Sequence, residues 1–294
     1  MITSRKRLER ITGLHSVVDG IPFTLPVFCK ETPCLFAVFT IDAGEAAKLL
    51  PGKELAPFRL WNRGLLVVTV VDYRNTNIGK YIEFSIAIAC THGSRSSPPL
   101  IPALFQKKYG VGQFVFDLPV SSEISVKGGK GIWGMPKHQA NLNFIDGPDT
   151  VSSLYEEDGK LGMFVTIDKP RMAIPIDTRA ANYCTFRGLL MKSYLHFKGT
   201  IRFSLFRHGA GRVVIGDLPR VQPLKRLDLS RDPIFTGYVE SVDGVLDDYF
   251  ETWFLAGDIP PEVSREGMSS VVGLGLSQEW LAPPDPSLVH GHES

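Results

Sequence analysis

The chain has 294 residues, enough for one large domain or two small ones, and its 44% hydrophobic and 21% charged content is that of an ordinary globular protein. A net charge of +1 supplies no field favouring nucleic acid or an anionic membrane, so neither is expected as a partner. The charged start, Met1 to Arg10, has no apolar run behind it and does not read as a secretory signal, and the longest apolar stretch, about Leu65 to Val71, is far short of a membrane span. A soluble, cytoplasmic protein is expected.

Residues 1–25 read as an N-terminal arm. Strand signals then dominate. Leu35 to Ile41 and Leu65 to Val71 are β-branched and aromatic. From Tyr81 to Ala89 the pattern alternates: Tyr81, Glu83, Ser85, Ala87 and Ala89 share one face, and Ile82, Phe84, Ile86 and Ile88 form an apolar set on the other. Further strands are predicted at Gln113–Leu118, Gln139–Phe144, Val151–Tyr155, Leu161–Ile167, Thr200–Phe206, Arg212–Ile215 and Phe235–Val239, with Asp158-Gly159 as a hairpin turn. Two short helices are predicted, Gly44 to Leu50, stopped by Pro51-Gly52, and Asp247 to Phe254, with two carboxylates at its start. Many strands without a βαβ rhythm predict a mainly β (α+β) fold, an antiparallel β-barrel with a few short helices. From Leu255 onward, Pro260-Pro261, Pro283-Pro284 and Pro286 interrupt a polar tail, and residues 255–294 read as a partly disordered C-terminal extension.

Metal chemistry finds little support. Cys29, Cys34, Cys90 and Cys184 are scattered, and the histidines at 15, 92, 138, 196, 208, 290 and 292 form no H-E-x-x-H pairing. The four cysteines read as buried thiols. No G-x-S-x-G elbow supports a hydrolase. Gly129-Lys130-Gly131-Ile132-Trp133-Gly134 matches G-x-G-x-x-G, but Pro136 follows two residues on and forces Met135 into an extended conformation, so a dinucleotide loop opening a helix is not expected. The glycines read as a flexible turn leading into an active-site strand.

That strand begins at Lys137. Trp133, Met135 and Pro136 lead into it, and Ala140, Leu142 and Phe144 follow at strand spacing. A lysine in apolar surroundings loses solvation of its charged form and titrates lower. At the ordinary pKa near ~10.4, roughly one amine in a few thousand is neutral at pH 7, and only the neutral amine attacks a carbonyl.

The run Gly131-Ile132-Trp133-Gly134-Met135-Pro136-Lys137-His138 resembles the signature around the Schiff-base lysine of the acetoacetate decarboxylase family. Asn77-Ile78-Gly79-Lys80-Tyr81-Ile82-Glu83 is similar to the family's Gly-x-Tyr-x-Glu block, and Phe39 to Pro51 to its strand–helix–Pro opening. Asp158-Gly159-Lys160-Leu161, Asn182-Tyr183 and Pro223 to Leu227 also have counterparts, so the resemblance runs from about Pro26 to Phe254, taken as the barrel domain, 26–254.

The resemblance implies a β-barrel-rich homo-oligomer that needs no cofactor and acts on a small keto acid through a lysine iminium. It gives Lys137 the Schiff-base role and Glu83 the acid/base or orienting role. Tyr81, Met135, Trp133 and His138 stand beside them as candidate substrate contacts. Three departures stand out. His138 replaces the second lysine usual in the decarboxylases. Cys29-Lys30-Glu31-Thr32-Pro33-Cys34 lacks their carboxylate-holding arginine, for which Lys30 is the candidate replacement, without the bidentate fork. Leu65 to Val71 lacks their second glutamate and carries only Thr69 as a polar residue. The resemblance therefore implies a divergent member. Acetoacetate-type decarboxylation, aldol–dehydratase or cyclase chemistry on pyruvate-like acids, and a non-catalytic ligand-binding barrel all remain open.

Overall fold

The computed structural model describes residues 13–93, 101–104, 106–186, 188–255 and 274–292. The arm begins with a hairpin, β1 (Leu14–Val18) and β2 (Ile21–Leu25). A long β3 (Val27–Asp42) runs into helix α1 (Ala43–Leu49), whose first turn is capped by the Asp42 carboxylate accepting from Glu45 N at 2.7 Å. There follow β4 (Leu55–Pro57), β5 (Arg63–Tyr73), β6 (Asn75–Thr76), β7 (Tyr81–His92), a four-residue helix α2 (Ile101–Leu104) and β8 (Gly112–Val120). Helix α3 (Glu123–Trp133) leads into β9 (Lys137–Gln139), then β10 (Asn141–Leu142), β11 (Ile145–Asp146), β12 (Thr150–Glu157) and β13 (Lys160–Asp168). The described strands end with β14 (Met172–Phe186), β15 (Leu189–Leu205), β16 (Gly211–Ile215) and β17 (Phe235–Phe254).

Seven of these strands close a barrel in the order β3-β5-β7-β8-β14-β15-β17, with β17 returning to pair with β3. The pairings around it are antiparallel except β8–β14, so the barrel is mixed where an antiparallel one was expected. A second, five-stranded sheet, β10-β12-β13-β16 with β11 beside β12, covers one side of the barrel. The period-2 pattern of the sequence explains this packing. On β5 and β7, Leu66, Val68, Val70, Ile82, Phe84, Ile86 and Ile88 face outward into a core shared with Val151, Tyr155, Met163, Val165 and Ile167 of the second sheet. Each such side chain contributes about 1.5–3 kcal/mol on burial. The alternate residues of β5 and β7 face the barrel interior.

Several local expectations need correction. Asp247–Phe254 is not a helix but the end of β17, whose Phe250 to Phe254 pair with Ser193 to Leu189 of β15. The Gly129–Gly134 segment is not a turn but the last part of α3 and its cap. Gln139–Phe144 is broken, with Ala140 between β9 and β10. The Asp158-Gly159 turn joins β12 to β13 with φ of 52° and 75°, the left-handed pair that a tight hairpin demands.

The first part of the arm, 1–12, and the stretch 256–273 of the C-terminal extension lie outside the described residues, and so does any expectation of disorder there. Residues 274–292 pack on the barrel: Trp280 Nε1 donates to Lys80 O at 3.2 Å, Lys127 Nζ to Leu274 O at 2.5 Å, and Val289 is buried against the second sheet. Among the described residues no helix is long and apolar enough to cross a membrane.

Candidate active site

The barrel interior holds a cavity of about 980 Å³, counting its opening to solvent. Its wall is mostly apolar, and among the described residues its lining contains one acidic and one basic side chain, Glu83 and Lys137. Lys137 reaches it by a sharp change of direction. Helix α3 ends at Gly134, which takes the left-handed conformation at φ +65° and donates its N–H to Lys130 O at 3.1 Å. Met135 N then donates to Gly129 O at 3.2 Å, Pro136 prevents the helix from continuing, and β9 starts at Lys137 in parallel register with Leu118 of β8.

The Lys137 side chain lies along α3, which approaches it at a glycine. A Cβ on Gly129 would fall within 2.6 Å of Lys137 Cε and 3.0 Å of its Nζ, so only glycine lets the helix pass this close. The amine is buried, 5% exposed as a side chain. It lies 2.7 Å from Glu83 Oε2 on β7 and donates to Ser125 Oγ on α3 at 2.9 Å. The Tyr81 ring centroid is 5.1 Å from Nζ, and Tyr81 stacks on Tyr73 with centroids 4.5 Å apart. Burial, reinforced by the Glu83 charge, pushes both phenols well above the ordinary tyrosine value. Tyr81 and Tyr73 therefore stay protonated at neutral pH and offer hydrogen bonds, not a base. Cys29, also in the wall, has its thiol pushed up to about 11 by burial.

The sequence candidates separate into two groups. Lys137, Glu83, Tyr81 and Met135 line the cavity together. Trp133, His138 and Lys30 do not, and their proposed substrate contacts are corrected here. Trp133 is 2% exposed and packs in the core between barrel and helix. Lys30 is exposed, on a β3 residue paired with Asn75. His138 points away from the interior, as strand alternation requires of the residue after Lys137. Its Nε2 lies 2.9 Å from Asp117 Oδ1 and its Nδ1 3.7 Å from Glu157 Oε2, on the side of the second sheet.

Sequence reasoning missed Ser125, the second partner of the amine. The signal was present in Ser121-Ser122-Glu123: read as a helix start, it places Ser125 and Gly129 four residues apart on one face. It also passed over Asn182 as a cavity residue, and Gln113, whose amide donates to Asn182 Oδ1 at 2.8 Å, whereas Ser85, on the Tyr81–Glu83 face, lines the cavity as its alternation suggested. Among the described residues no cluster of His, Cys, Asp or Glu is arranged to hold a metal ion.

The geometry is that of an amine held out of water against a carboxylate in an apolar chamber, suited to condensing with a carbonyl. Comparison with solved structures agrees with the fold. The acetoacetate decarboxylase of Legionella pneumophila superposes with a TM-score of 0.57 at 13% identity, over 78% of this chain and 87% of that one. The enduracididine biosynthesis enzyme MppR complexed with pyruvate gives 0.56 at 13% identity, over 79% and 90%. An acetoacetate decarboxylase-like enzyme from Sphingomonas wittichii RW1 gives 0.50 at 14%, over 75% and 91%. Among curated proteins, none matches this chain. The profile of the family described as Acetoacetate decarboxylase (ADC) matches residues 16–184, more than half of the chain, and so this protein belongs to the acetoacetate decarboxylase family.

Proposed function

We propose that the protein is a Schiff-base lyase that decarboxylates a keto acid of the acetoacetate type, with Lys137 as nucleophile. The observation that carries this reading is the Lys137 amine, buried in the cavity 2.7 Å from Glu83 and 2.9 Å from Ser125. Glu83 is placed to take the proton that the ammonium gives up. The neutral amine adds to the ketone carbonyl and water leaves, giving an iminium. The bond to the β-carboxylate then breaks. Its electron pair moves toward the iminium nitrogen to form an enamine, and carbon dioxide departs. A proton delivered from Glu83 to the α-carbon and hydrolysis of the iminium release the ketone and restore the amine.

A second reading has a specific observation in its favour. Among the described residues the cavity lining contains no arginine and no second lysine to hold a β-carboxylate, and a relative of the same fold is described in complex with pyruvate. Aldol condensation and dehydration of a pyruvate-like acid would use the same amine and the same proton carrier. Borohydride added with a panel of acetoacetate-like and pyruvate-like acids tests both readings. A reduced adduct on Lys137, located by mass spectrometry, is expected, and carbon dioxide release from the acetoacetate-like acids separates the two. No adduct across the panel would overturn the Schiff-base assignment.

A further inference from the structure

We infer that the keto acid taken by this cavity carries an apolar, uncharged chain beyond its carbonyl, several carbons longer than the methyl group of acetoacetate. The inference rests on the Schiff-base reading above and names the substrate class of that site.

The first ground is charge. Glu83 and Lys137 are the acidic and basic members of the described lining, and they neutralise each other. Once Lys137 becomes an iminium, its cation can face the reacting carboxylate, and among the described residues no further cation lines the cavity for a second anionic group. A charged tail end would be buried without a partner, which is strongly unfavourable.

The second ground is the wall. Away from the amine the cavity is bounded by Val67, Val115, Leu195, Phe197 and Leu246. These come from four strands around the barrel, so the apolar surface encircles the space and is not a single stripe. Thr69 and Ser85, cross-strand partners one pleat from Val71 and Glu83, add hydroxyls near the reacting end.

The third ground is length. Gln113 lies five residues along β8 from Leu118, the register partner of Lys137, and a bulge between Val115 and Asp117 makes that stretch about four strand steps, or about 14 Å at ~3.4 Å per residue. At that far end Gln113 and Asn182 bond to each other. A four-carbon acid seated at Lys137 would leave the space between filled by water facing carbon, without the two to four polar partners that buried water requires. A hydrocarbon chain fits the space that such water would occupy.

For a substrate R–CO–CH2–COO⁻ the overall reaction is R–CO–CH2–COO⁻ + H⁺ → R–CO–CH3 + CO2. The bond from the methylene carbon to the carboxyl carbon breaks, its electron pair passes into the enamine, and a proton from Glu83 replaces the carboxylate. Hydrolysis of the iminium returns a methyl ketone bearing the apolar chain.

The test uses the full chain with straight-chain 3-oxo acids of four, six, eight and ten carbons, and the eight-carbon 3-oxo diacid. Half-saturating concentration for borohydride-trapped adduct on Lys137 is measured for each, with carbon dioxide release above a protein-free blank as second readout. Burial of each methylene predicts about a fourfold fall in that concentration until the cavity is full. The diacid is expected to need at least tenfold more than the monoacid of its length. Adducts with no gain beyond four carbons, or with the diacid as good as the monoacid, would overturn the apolar-chain inference and leave the Schiff-base reading standing. Absence of any Lys137 adduct would overturn both.

Discussion

Lys137 Nζ lies 2.7 Å from Glu83 Oε2, although their strands are not neighbours: β8 runs between β7 and β9 and pairs with both. The ion pair therefore reaches across an intervening strand inside the barrel, and its two members can be separated by mutation. Lys137→Ala should abolish the borohydride adduct and turnover. Glu83→Gln keeps a polar partner for the amine and removes the proposed proton carrier. It should lower kcat by roughly 10²- to 10⁴-fold while an adduct still forms. Glu83→Ala strands a buried lysine and should also lower unfolding free energy by about 3–5 kcal/mol, read by urea titration. Equal stability of the Gln and Ala variants would contradict this account of the pair.

Gly129→Ala isolates positioning from folding. In an exposed helix, alanine is better than glycine by roughly 1 kcal/mol, yet here its methyl would meet Lys137 Cε. Turnover should fall by about 10²-fold or more, because displacement of a reacting group by about 1 Å has that effect, while the melting temperature changes little. Wild-type kcat in this variant would show that the helix does not set the position of the amine.

Cys29 gives a chemical probe of the cavity. Its thiol is pushed from 9.0 up to about 11 by burial, with Thr32 and the Gly244 backbone partly opposing. Only the thiolate alkylates, so iodoacetamide at pH 7.5 should modify Cys29 about a hundredfold more slowly than an accessible thiol of ordinary acidity. The rate should climb tenfold per pH unit up to about pH 11. A rate that levels off near pH 9 would be inconsistent with this burial.

His92 should make the fold acid-sensitive. Its ring lies against Trp253, centroids 4.3 Å apart, and Tyr183, 5.7 Å apart. Burial first, then the Lys192 charge, hold it below the ordinary histidine value. The folded state thus binds the proton less readily than the unfolded chain. The stability this contributes is present above about pH 6.5 and is lost as pH falls toward the depressed folded value. The urea midpoint of the wild type should drop between pH 7 and pH 5, and His92→Phe should flatten that drop. An equal drop in both would assign it to other groups.

Much of the barrel was legible because β7 carries two different faces in strict alternation. Ile82, Phe84, Ile86 and Ile88 announced a core, and Tyr81, Glu83 and Ser85 a chamber. Helix α3 was not legible for the same reason that it can pass so close to Lys137. Its glycine-rich run reads as a breaker, and its propensity is poor, but a Cβ at Gly129 would collide with Lys137. Asp247–Phe254 misled in the opposite sense. Its local signals suit a helix start, and pairing with β15 overrides them. Lys30 and His138 follow from what one dimension leaves out: a residue adjacent in sequence to the site, or matching it in charge, faces wherever its strand turns it.

The β8–β14 pairing has a consequence for how the barrel breathes. It has only two register pairs, Asn182 with Gln113 and Tyr183 with Phe114. Side chains reinforce it, Gln113 to Asn182 at 2.8 Å and the Tyr183 hydroxyl to Gly110 O at 2.7 Å. A wall that is continuous elsewhere through long ladders is thus fastened here by a short clasp. Among the barrel strands, amides along this clasp should exchange with solvent first, and Tyr183→Phe should hasten them. The same local parting would put the far end of the chamber in touch with bulk water, giving an occupant a side door through the wall.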